Sequence, residues 1–317
     1  MTRTFLIESD SFDVYHNQAI EKYLLDHVLE NEVILYLWRN DKTVVIGKNQ
    51  DAYSECHIES LNEDGGFLAR RISGGGAVYH DKGNLNFTFI CKKDLFDINS
   101  QDQVILNALK ALGINGEKNG RNDLIIDGRK FSGHAYYKGK ENCFHHGTLM
   151  LEVNEEALGR YLNVSLIKLN SKNVRSVRSR IVNLKSVKND LSIDMLKKAL
   201  IASFEDMYQS KASEYKIDED EISELRKEFA SKDWLYGQKY ENYQIKEGKT
   251  DFGTVKVLYD LEDGIIKDLK IYTDAMDHDL PENIERRLIG KRISETADEN
   301  EEVKAIVKLL KEEKDEI

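Results

Sequence analysis

The sequence is poor in cysteine and proline and has no long apolar run. Its 317 residues include three cysteines and one proline. Three cysteines are too few and too scattered for a disulfide framework or a zinc site. No run approaches the ~18 apolar residues that a membrane-spanning helix needs, and the first residues show no charged-then-apolar signal pattern. We therefore expect a cytoplasmic protein without a membrane partner.

A basic excess is also missing. The formal net charge is −11, whereas proteins that bind nucleic acid usually carry a positive surface, so we expect no nucleic-acid partner. Neither G-x-x-x-x-G-K-[ST] nor a complete G-x-G-x-x-G occurs, which excludes two common nucleotide-binding signatures. Apolar residues make up 40% and charged residues 32%, the composition of a folded chain long enough for about two domains.

Helical and strand-like patterns alternate in the first half. Residues 16–29 carry an apolar helical stripe, and residues 102–113 predict a helix closed by Gly113 as its left-handed cap. Two further patterns predict strand pairs, namely a hairpin of 32–38 with 42–47 and a pair of 65–73 with 85–91. Turns at Asp127-Gly128 and Lys138-Gly139 predict two more hairpins.

The second half begins with helices and then changes character. From about residue 154 the pattern is mostly helical, and Ser192 is the predicted N-cap of the clearest helix. Residues 239–273 predict three strands, followed by charged amphipathic helices at 282–293 and 298–315. We therefore expect a boundary near 240–248, with one domain at 1–245 and a smaller one at 248–317.

Three consecutive glycines lie in the stretch RRISGGGAVYHDKGNLNFTF, residues 70–89. Gly74, Gly75 and Gly76 have no Cβ atoms, so a ligand can lie directly on the backbone amides. Successive N–H groups of this kind suit phosphate or carboxylate oxygens. Arg70 and Arg71 precede the loop as cations able to pair with phosphates, although a glycine triplet alone also fits a flexible surface hairpin.

A second cation follows about forty residues later. The stretch GRNDLIIDGRKFSGHA, residues 120–135, places Lys130 on a predicted strand just before Ser132 and Gly133. A lysine fixed beside a backbone nest stabilises a developing anion without reorganisation during the reaction. The two segments together indicate nucleotide chemistry and leave open which group is activated.

These two segments, with FHHGTL (144–149) and VRSVRSRIVNL (174–184), resemble the lipoate–protein ligase A family in order and spacing. The resemblance extends to WRNDKTVVIGKNQDAY (38–53) and DWLYGQ (233–238). It implies an α/β (α+β) fold: a large mixed-sheet domain of the lipoate/biotin ligase type and a small α+β accessory domain that moves between half-reactions. Biotin ligase is a neighbouring possibility.

The resemblance implies an ATP-dependent ligase. Lipoate attacks the α-phosphorus of ATP to give lipoyl-AMP, and a lysine of a carrier domain then takes the lipoyl group. Lys130 is the implied catalytic residue, and the implied adenylate-binding residues are Arg71, Gly74, Gly75, Gly76, Ala77, Val78, Tyr79, Asn84, Asn122, Asp123 and Lys130. The implied lipoate-binding residues are Trp38, Arg71, Gly75, Lys130 and His146.

Some of these assignments have plain alternatives. Asp123 either helps to hold Mg²⁺, a hard cation that prefers oxygen ligands, or only forms a turn. Trp38 either walls the slot for the lipoyl tail or belongs to the core. His145 and His146 match the family's HHG, with structural or slot-shaping roles. Cys143, placed in a turn, would be the nucleophile of an ATP-independent acyltransferase, but it lacks an activating partner.

The acceptor is less well defined. His134 stands where many members carry a small or amide residue, which leaves the carrier range open among E2 subunits of 2-oxoacid dehydrogenases, glycine-cleavage H protein and a relative of it. Residues 165–190 hold seven basic residues and one acid, so they either dock an acidic carrier or ATP, or form a solvated face. We expect a monomer, and a lipoate-sequestering binding protein is a further alternative.

Overall fold

The computed structural model describes residues 2–120, 122–163, 181–296 and 300–312. Within these ranges the largest element is an eight-stranded mixed sheet with the order β11-β1-β2-β6-β10-β9-β8-β7. Its strands are β1 Arg3–Glu8, β2 Glu32–Trp38, β6 Asn84–Lys92, β7 Glu117–Asn119, β8 Asp123–Ile126, β9 Arg129–Lys138, β10 Asn142–Met150 and β11 Ser213–Glu214. β1 pairs in parallel with β2 and β11, and the other pairs are antiparallel.

Strand β2 shows why this sheet is covered on both faces. All seven of its residues are buried, as the continuous apolar run EVILYLW indicates. Val33, Leu35 and Leu37 join one core cluster, whereas Ile34 and Tyr36 join another. Successive side chains of a strand point to opposite faces, so the sheet is the middle layer between two helical layers.

The covering helices begin at side-chain caps. One layer is built on α1 (Val14–His27), where the Asp13 carboxylate accepts hydrogen bonds from two amides of the first turn. The other is built on α4 (Ile98–Ala111) and α7 (Ile193–Tyr208). Ser192 accepts a hydrogen bond from the Met195 amide, and Gly113 has φ +80, which confirms both predicted helix ends.

The remaining helices are short or lie towards the surface. They are α2 Ala52–Glu55, α3 Ile58–Glu63, α5 Glu155–Tyr161, α6 Leu184–Val187, α8 Glu219–Phe229 and α9 Lys232–Tyr236, with a 3₁₀ turn at Lys93–Leu95. The mostly helical pattern predicted after residue 154 is confirmed for the part of the chain that is described. In that part no helix is long and apolar enough to cross a membrane.

A second, three-stranded sheet carries the glycine loop. Its strands are β3 Thr43–Ile46, β4 Phe67–Arg70 and β5 Val78–His80, in the order β4-β3-β5. β3 pairs in parallel with β4 and antiparallel with β5. The loop of residues 71–77 therefore connects the two edge strands across one end of this sheet.

Two predicted strand pairs are wrong. Residues 32–38 and 42–47 form no hairpin, because β2 lies in the main sheet and β3 in the second one. The pair 65–73 with 85–91 also fails, since β4 pairs with β3 and β6 pairs with β2 and β10. The connection after Trp38 is anchored by Asn40, a buried side chain that bonds to Asn17 and His80. The hairpins at Asp127-Gly128 and after Lys138 are confirmed.

A third sheet stands apart near the C-terminal end of the chain. β12 Gln244–Thr250, β13 Gly253–Glu262 and β14 Ile265–Thr273 form an antiparallel sheet, as the three-strand pattern predicts. Helices α10 (Leu280–Leu288) and α11 (Glu301–Lys311) pack on it around a separate apolar core. A 3₁₀ turn, Ile293–Glu295, lies between them. We call the unit of residues 244–311 the accessory unit.

Candidate active site

One cavity of about 160 Å³ lies between the glycine loop, β9 and β10. It brings together residues that the sequence analysis drew from four separate segments. The predicted residues that line it are Trp38, Arg71, Gly75, Gly76, Ala77, Val78, Asn122, Lys130 and His146. Lining residues that the sequence analysis did not single out include Gln18, Glu21, Val45, His80 and Met276.

Four predicted residues lie beside the cavity rather than along it. Gly74 lies under the accessory unit, and Asn84 donates to the side-chain oxygen of Asn86 at 2.7 Å. The ring of Tyr79 packs against Tyr161, with ring centroids 5.5 Å apart. Asp123 reaches the site through its ion pair with Lys130.

Arg71 fixes the shape of the glycine loop. Its guanidinium is buried and donates to the carbonyl oxygens of Gly74 at 2.7 Å, Gly76 at 2.8 Å and Val45 at 3.2 Å. Burial lowers its pKa to about 10, which still leaves it charged at neutral pH. Arg71 therefore lines the cavity and also holds the conformation of the glycine loop.

Arg70 holds a different connection together. Its guanidinium donates to the carbonyl oxygens of Lys48 at 2.8 Å, Gln50 at 2.6 Å and Leu235 at 2.8 Å. It therefore joins the second sheet to helix α9, which carries the DWLYGQ motif. Arg70 therefore has a structural role in this structure.

The accessory unit approaches the glycine loop more closely than any side chain would permit. The Gly75 amide donates to the Ala275 carbonyl at 2.9 Å. A Cβ atom on Gly74 would lie 2.4 Å from the Ala275 oxygen and 2.5 Å from the Met276 oxygen. Gly75 has φ +90, a left-handed conformation that favours glycine. Carbonyl oxygens of the accessory unit therefore occupy the side of the loop where the sequence analysis expects an anion.

Replacing Gly74 with alanine should loosen this contact. The added methyl group overlaps two carbonyl oxygens, so the accessory unit has to shift, at a cost of ~1–3 kcal/mol. Hydrogen exchange at the Gly75 amide should then become faster. Mass spectrometry of the peptide that spans residues 70–79 measures this exchange. Gly76→Ala is the matched control, because its Cβ would meet no atom within 4 Å. Equal exchange rates in the two variants would contradict the contact.

Two neighbours set the position of the Lys130 side chain on the cavity wall. Asp123 pairs with its ammonium, and Gly133 leaves space for it because it has no side chain. The Lys130 ammonium lies 2.8 Å from Asp123 Oδ1. A Cβ on Gly133 would lie 2.6 Å from Lys130 Nζ, so the lysine side chain folds over the bare backbone of that glycine. Both constraints direct the ammonium along the cavity wall.

A hydrogen-bonded chain orders the wall opposite Lys130. Thr88 accepts from the Trp38 indole at 3.0 Å and donates to Glu21 Oε1 at 2.8 Å. The same Glu21 oxygen lies 2.8 Å from His146 Nδ1, and His146 Nε2 lies 2.8 Å from Ser73 Oγ. Trp38 therefore belongs to the core and also lines the cavity, the two alternatives that the sequence left open. Its side chain is 4% exposed and packs in a core cluster.

His80 presents a neutral ring to the same cavity. Burial lowers its pKa to about 3, so it carries no charge at physiological pH. Its Nδ1 lies 3.1 Å from Asn40 Nδ2, an amide group that can only donate. The ring proton therefore lies on Nε2, which has no hydrogen-bond partner among the described residues.

The comparison with protein families decides the relationship. Residues 13–205 match the family described as "Lipoyl protein ligase A/B catalytic domain". The chain belongs to this family. Residues 237–311 match a second family, "Bacterial lipoate protein ligase C-terminus", which covers the accessory unit. The resemblance seen in the sequence motifs is thereby confirmed.

Curated relatives of this ligase family match most of the chain. The lipoate-protein ligase A of Bdellovibrio bacteriovorus is 40% identical over 293 residues, which are 89% of this chain and 86% of the relative. That of Blochmanniella floridana is 36% identical over 295 residues, or 90% of this chain and 88% of the relative.

Solved structures of the ligase family confirm the predicted fold class. P. falciparum LipL1 in complex with lipoate matches with a TM-score of 0.81 at 28% identity, over 97% of this chain and 98% of that one. A lipoate-protein ligase A bound with ATP matches with a TM-score of 0.64 at 26% identity, over 74% and 98%. A bi-partite ligase with its E2 lipoyl domain from Thermoplasma acidophilum gives 0.66 at 27% identity, over 76% and 98%.

Cys143 does not have the surroundings of a ligase or transferase nucleophile. It lies inside strand β10 rather than in the predicted turn, and it is 1% exposed. Burial raises the pKa of its thiol, which disfavours the reactive thiolate. Its cross-strand partner on β6 is another buried cysteine, Cys91.

Cys143→Ala should therefore leave lipoyl transfer to a carrier unchanged and fully dependent on ATP. The measurement is the mass shift of the carrier with and without ATP, for the variant beside the parent chain. Loss of transfer in a variant that still unfolds at the parent's temperature would instead support a thioester route.

Proposed function

We propose that the chain is an ATP-dependent lipoate–protein ligase that makes lipoyl-AMP and then transfers the lipoyl group to a lysine of a carrier domain. The observation that carries the proposal is the shared cavity of Lys130, the glycine-loop backbone and the Trp38–His146 wall. The relatives are named lipoate-protein ligase A, and structures of the family hold lipoate or ATP. These names support the same chemistry.

The first half-reaction needs a carboxylate and a phosphate to be held together although both are negative. Lys130 is the proposed cation at that junction, since its ammonium is the one positive side chain along the described cavity wall that is not committed to backbone carbonyls. Alignment of the two reacting groups can supply several kcal/mol of the barrier reduction. Ala77, Val78 and Asn122 are proposed to contact the adenylate.

The residues fit a bound Mg²⁺ with one carboxylate ligand. Asp123 lies beside the cavity, 32% exposed, and its Oδ1 contacts Lys130 rather than a backbone amide. Mg²⁺ commonly takes one or two protein carboxylates and completes its shell with water and substrate phosphates. When bound, the ion would neutralise phosphate charge, and Asp123 would release Lys130 towards the reacting carboxylate.

The carrier is a lipoyl domain in this proposal, either of an E2 subunit or of glycine-cleavage H protein or a relative. A structural relative was solved with its E2 lipoyl domain, which supports this class of partner. The basic segment predicted to dock it, 165–190, lies largely outside the described residues, which omit 164–180. The assignments of a monomer, a cytoplasmic location, and domains at 1–245 and 248–317 stay predictions.

Pyrophosphate release separates the competing functions. The chain is incubated with ATP and Mg²⁺ together with lipoate, octanoate or biotin, and pyrophosphate is measured in the absence of a carrier. We expect release with lipoate, and lipoylation of a carrier only after ATP is supplied. Release with biotin alone would indicate a biotin ligase. Lipoate binding without pyrophosphate would indicate a binding protein, and ATP-independent modification a transferase.

A further inference from the structure

A buried cluster of two imidazoles and one carboxylate adjoins the cavity, which one of its members, His134, also lines. His134 on β9, His145 on β10 and Asp102 on α4 have side chains that are 1%, 0% and 4% exposed. His134 Nδ1 lies 3.0 Å from His145 Nε2 and 3.1 Å from Asp102 Oδ1. His145 Nε2 lies 3.8 Å from the same Asp102 oxygen, so the three atoms form a triangle. We call these three residues the His–His–Asp cluster.

The spacing of the three atoms is that of metal ligands. Zn²⁺ binds His nitrogen and Asp oxygen at ~2.0–2.2 Å, so tetrahedral geometry places ligand atoms about 3.3 Å apart. The observed triangle, with sides of 3.0, 3.1 and 3.8 Å, brackets that value. All three atoms therefore fit one face of a tetrahedral site.

The outer contacts of the two rings direct their free nitrogen atoms to the centre. His145 Nδ1 lies 3.1 Å from Gln101 Oε1, an oxygen that only accepts, so Nδ1 carries the proton and Nε2 carries the lone pair. His134 Nε2 lies 2.8 Å from the Ser132 hydroxyl, which can accept the proton of that nitrogen. Metal-bound histidines characteristically donate their second ring N–H to such a partner.

The carboxylate completes the donor set. Neither oxygen of Asp102 accepts a hydrogen bond of ordinary geometry, although the Lys118 ammonium lies 2.6 Å from Oδ2. Without an ion, His134 Nδ1–H donates to His145 Nε2, and His134 Nε2 accepts from the Ser132 hydroxyl. Binding of an ion would shift the His134 ring proton from Nδ1 to Nε2, where the Ser132 hydroxyl accepts it.

We propose that Asp102, His134 and His145 form a structural binding site for a divalent metal ion, with Zn²⁺ as the ion that fits best. Two imidazoles and a carboxylate suit Zn²⁺ better than Mg²⁺ or Ca²⁺, which prefer all-oxygen shells. The site is separate from the Mg²⁺ position at Asp123. It ties α4 to β9 and β10, and thereby stiffens the strand that carries Lys130 four residues before His134.

The test measures bound metal rather than ligase activity, so its result does not depend on the proposed function. Tag-free full-length chain is treated with EDTA, passed through a desalting column and titrated with Zn²⁺ or Co²⁺. We expect one equivalent to bind, with the visible absorption bands of four-coordinate Co²⁺. At a hundredfold excess over the dissociation constant, Zn²⁺ should raise the unfolding temperature by about 5–10 °C.

Two variants and a control connect the ion to the cluster. His134→Gln keeps hydrogen-bonding groups but offers a poor ligand, and His134→Ala removes the side chain; both should abolish the Co²⁺ bands and the temperature shift. His278→Ala is the control, because this buried histidine stacks on Tyr137, away from the cluster. Absence of stoichiometric Co²⁺ or Zn²⁺ binding in the parent chain, or binding that survives in both variants, would overturn the site and leave a hydrogen-bonded network.

Discussion

Lys130→Ala should reduce lipoate-dependent pyrophosphate release by ~10²–10³-fold, the loss typical of removing one preorganised charge from a reacting oxyanion. The Lys130 ammonium lies on the cavity wall, 2.8 Å from Asp123, and once Asp123 releases it the charge is in place before the reaction begins. The substitution removes a partly exposed side chain and should not change the unfolding temperature appreciably. Initial rates at saturating ATP and lipoate measure the effect.

The matched control is Lys138→Ala on the same strand. Lys138 is exposed at the far end of β9, and its ammonium lies over the Phe96 ring. Its removal changes the net charge equally without touching the cavity. Similar losses in the two variants would mean that overall charge, rather than the position of Lys130, governs the reaction.

Gly133→Ala should lower the same rate by ~10²-fold while the protein folds normally, because a misplacement of about 1 Å is enough to cost that much. The new methyl group would lie 2.6 Å from Lys130 Nζ and 2.7 Å from its Cε, so the end of this flexible side chain has to move. Moving a side-chain terminus costs little stability. Activity and unfolding temperature should therefore separate in this variant.

A double-mutant cycle shows whether Lys130 transmits the effect. On the Lys130→Ala background the Gly133→Ala substitution has no ammonium to displace, so it should cause no further loss. The coupling free energy calculated from the four rates should therefore be close to the full effect of Gly133→Ala in the parent chain. Additive losses would show that the methyl group acts on another part of the cavity and not through Lys130.

The sequence predicted elements better than it predicted their partners. The apolar run of β2, the glycine that ends α4 and the N-cap of α7 are local signals, and each appeared where expected, although α4 begins at Ile98 rather than at residue 102. The false hairpin between β2 and β3 arose because nothing local reveals that the chain changes sheets after Trp38. That change depends on the bonds of Asn40 to Asn17 and His80, which are 23 and 40 residues away in the chain.

The site was predictable where its chemistry is carried by neighbouring residues. The glycine triplet and Lys130 with its flanking glycines are short motifs, and the structure places Gly75, Gly76, Lys130 and Gly133 on one cavity. Gln18 and Glu21 were missed because they lie on a helix whose apolar stripe masked its polar face. The available signal was that both lie on one side of α1, three residues apart, which suits an inward-facing polar pair.

Met276 could not have been predicted to line the cavity, because it belongs to the accessory unit and arrives about two hundred residues after the glycine loop. The accessory unit lies on the glycine-loop amides, which a bound nucleotide would also need. If the accessory unit has moved off the loop in only a fraction of molecules, the apparent dissociation constant of the nucleotide equals the intrinsic one divided by that fraction. We then expect nucleotide affinity to depend partly on residues 274–278, which contact the glycine loop, and cutting the chain before β12 to strengthen nucleotide binding.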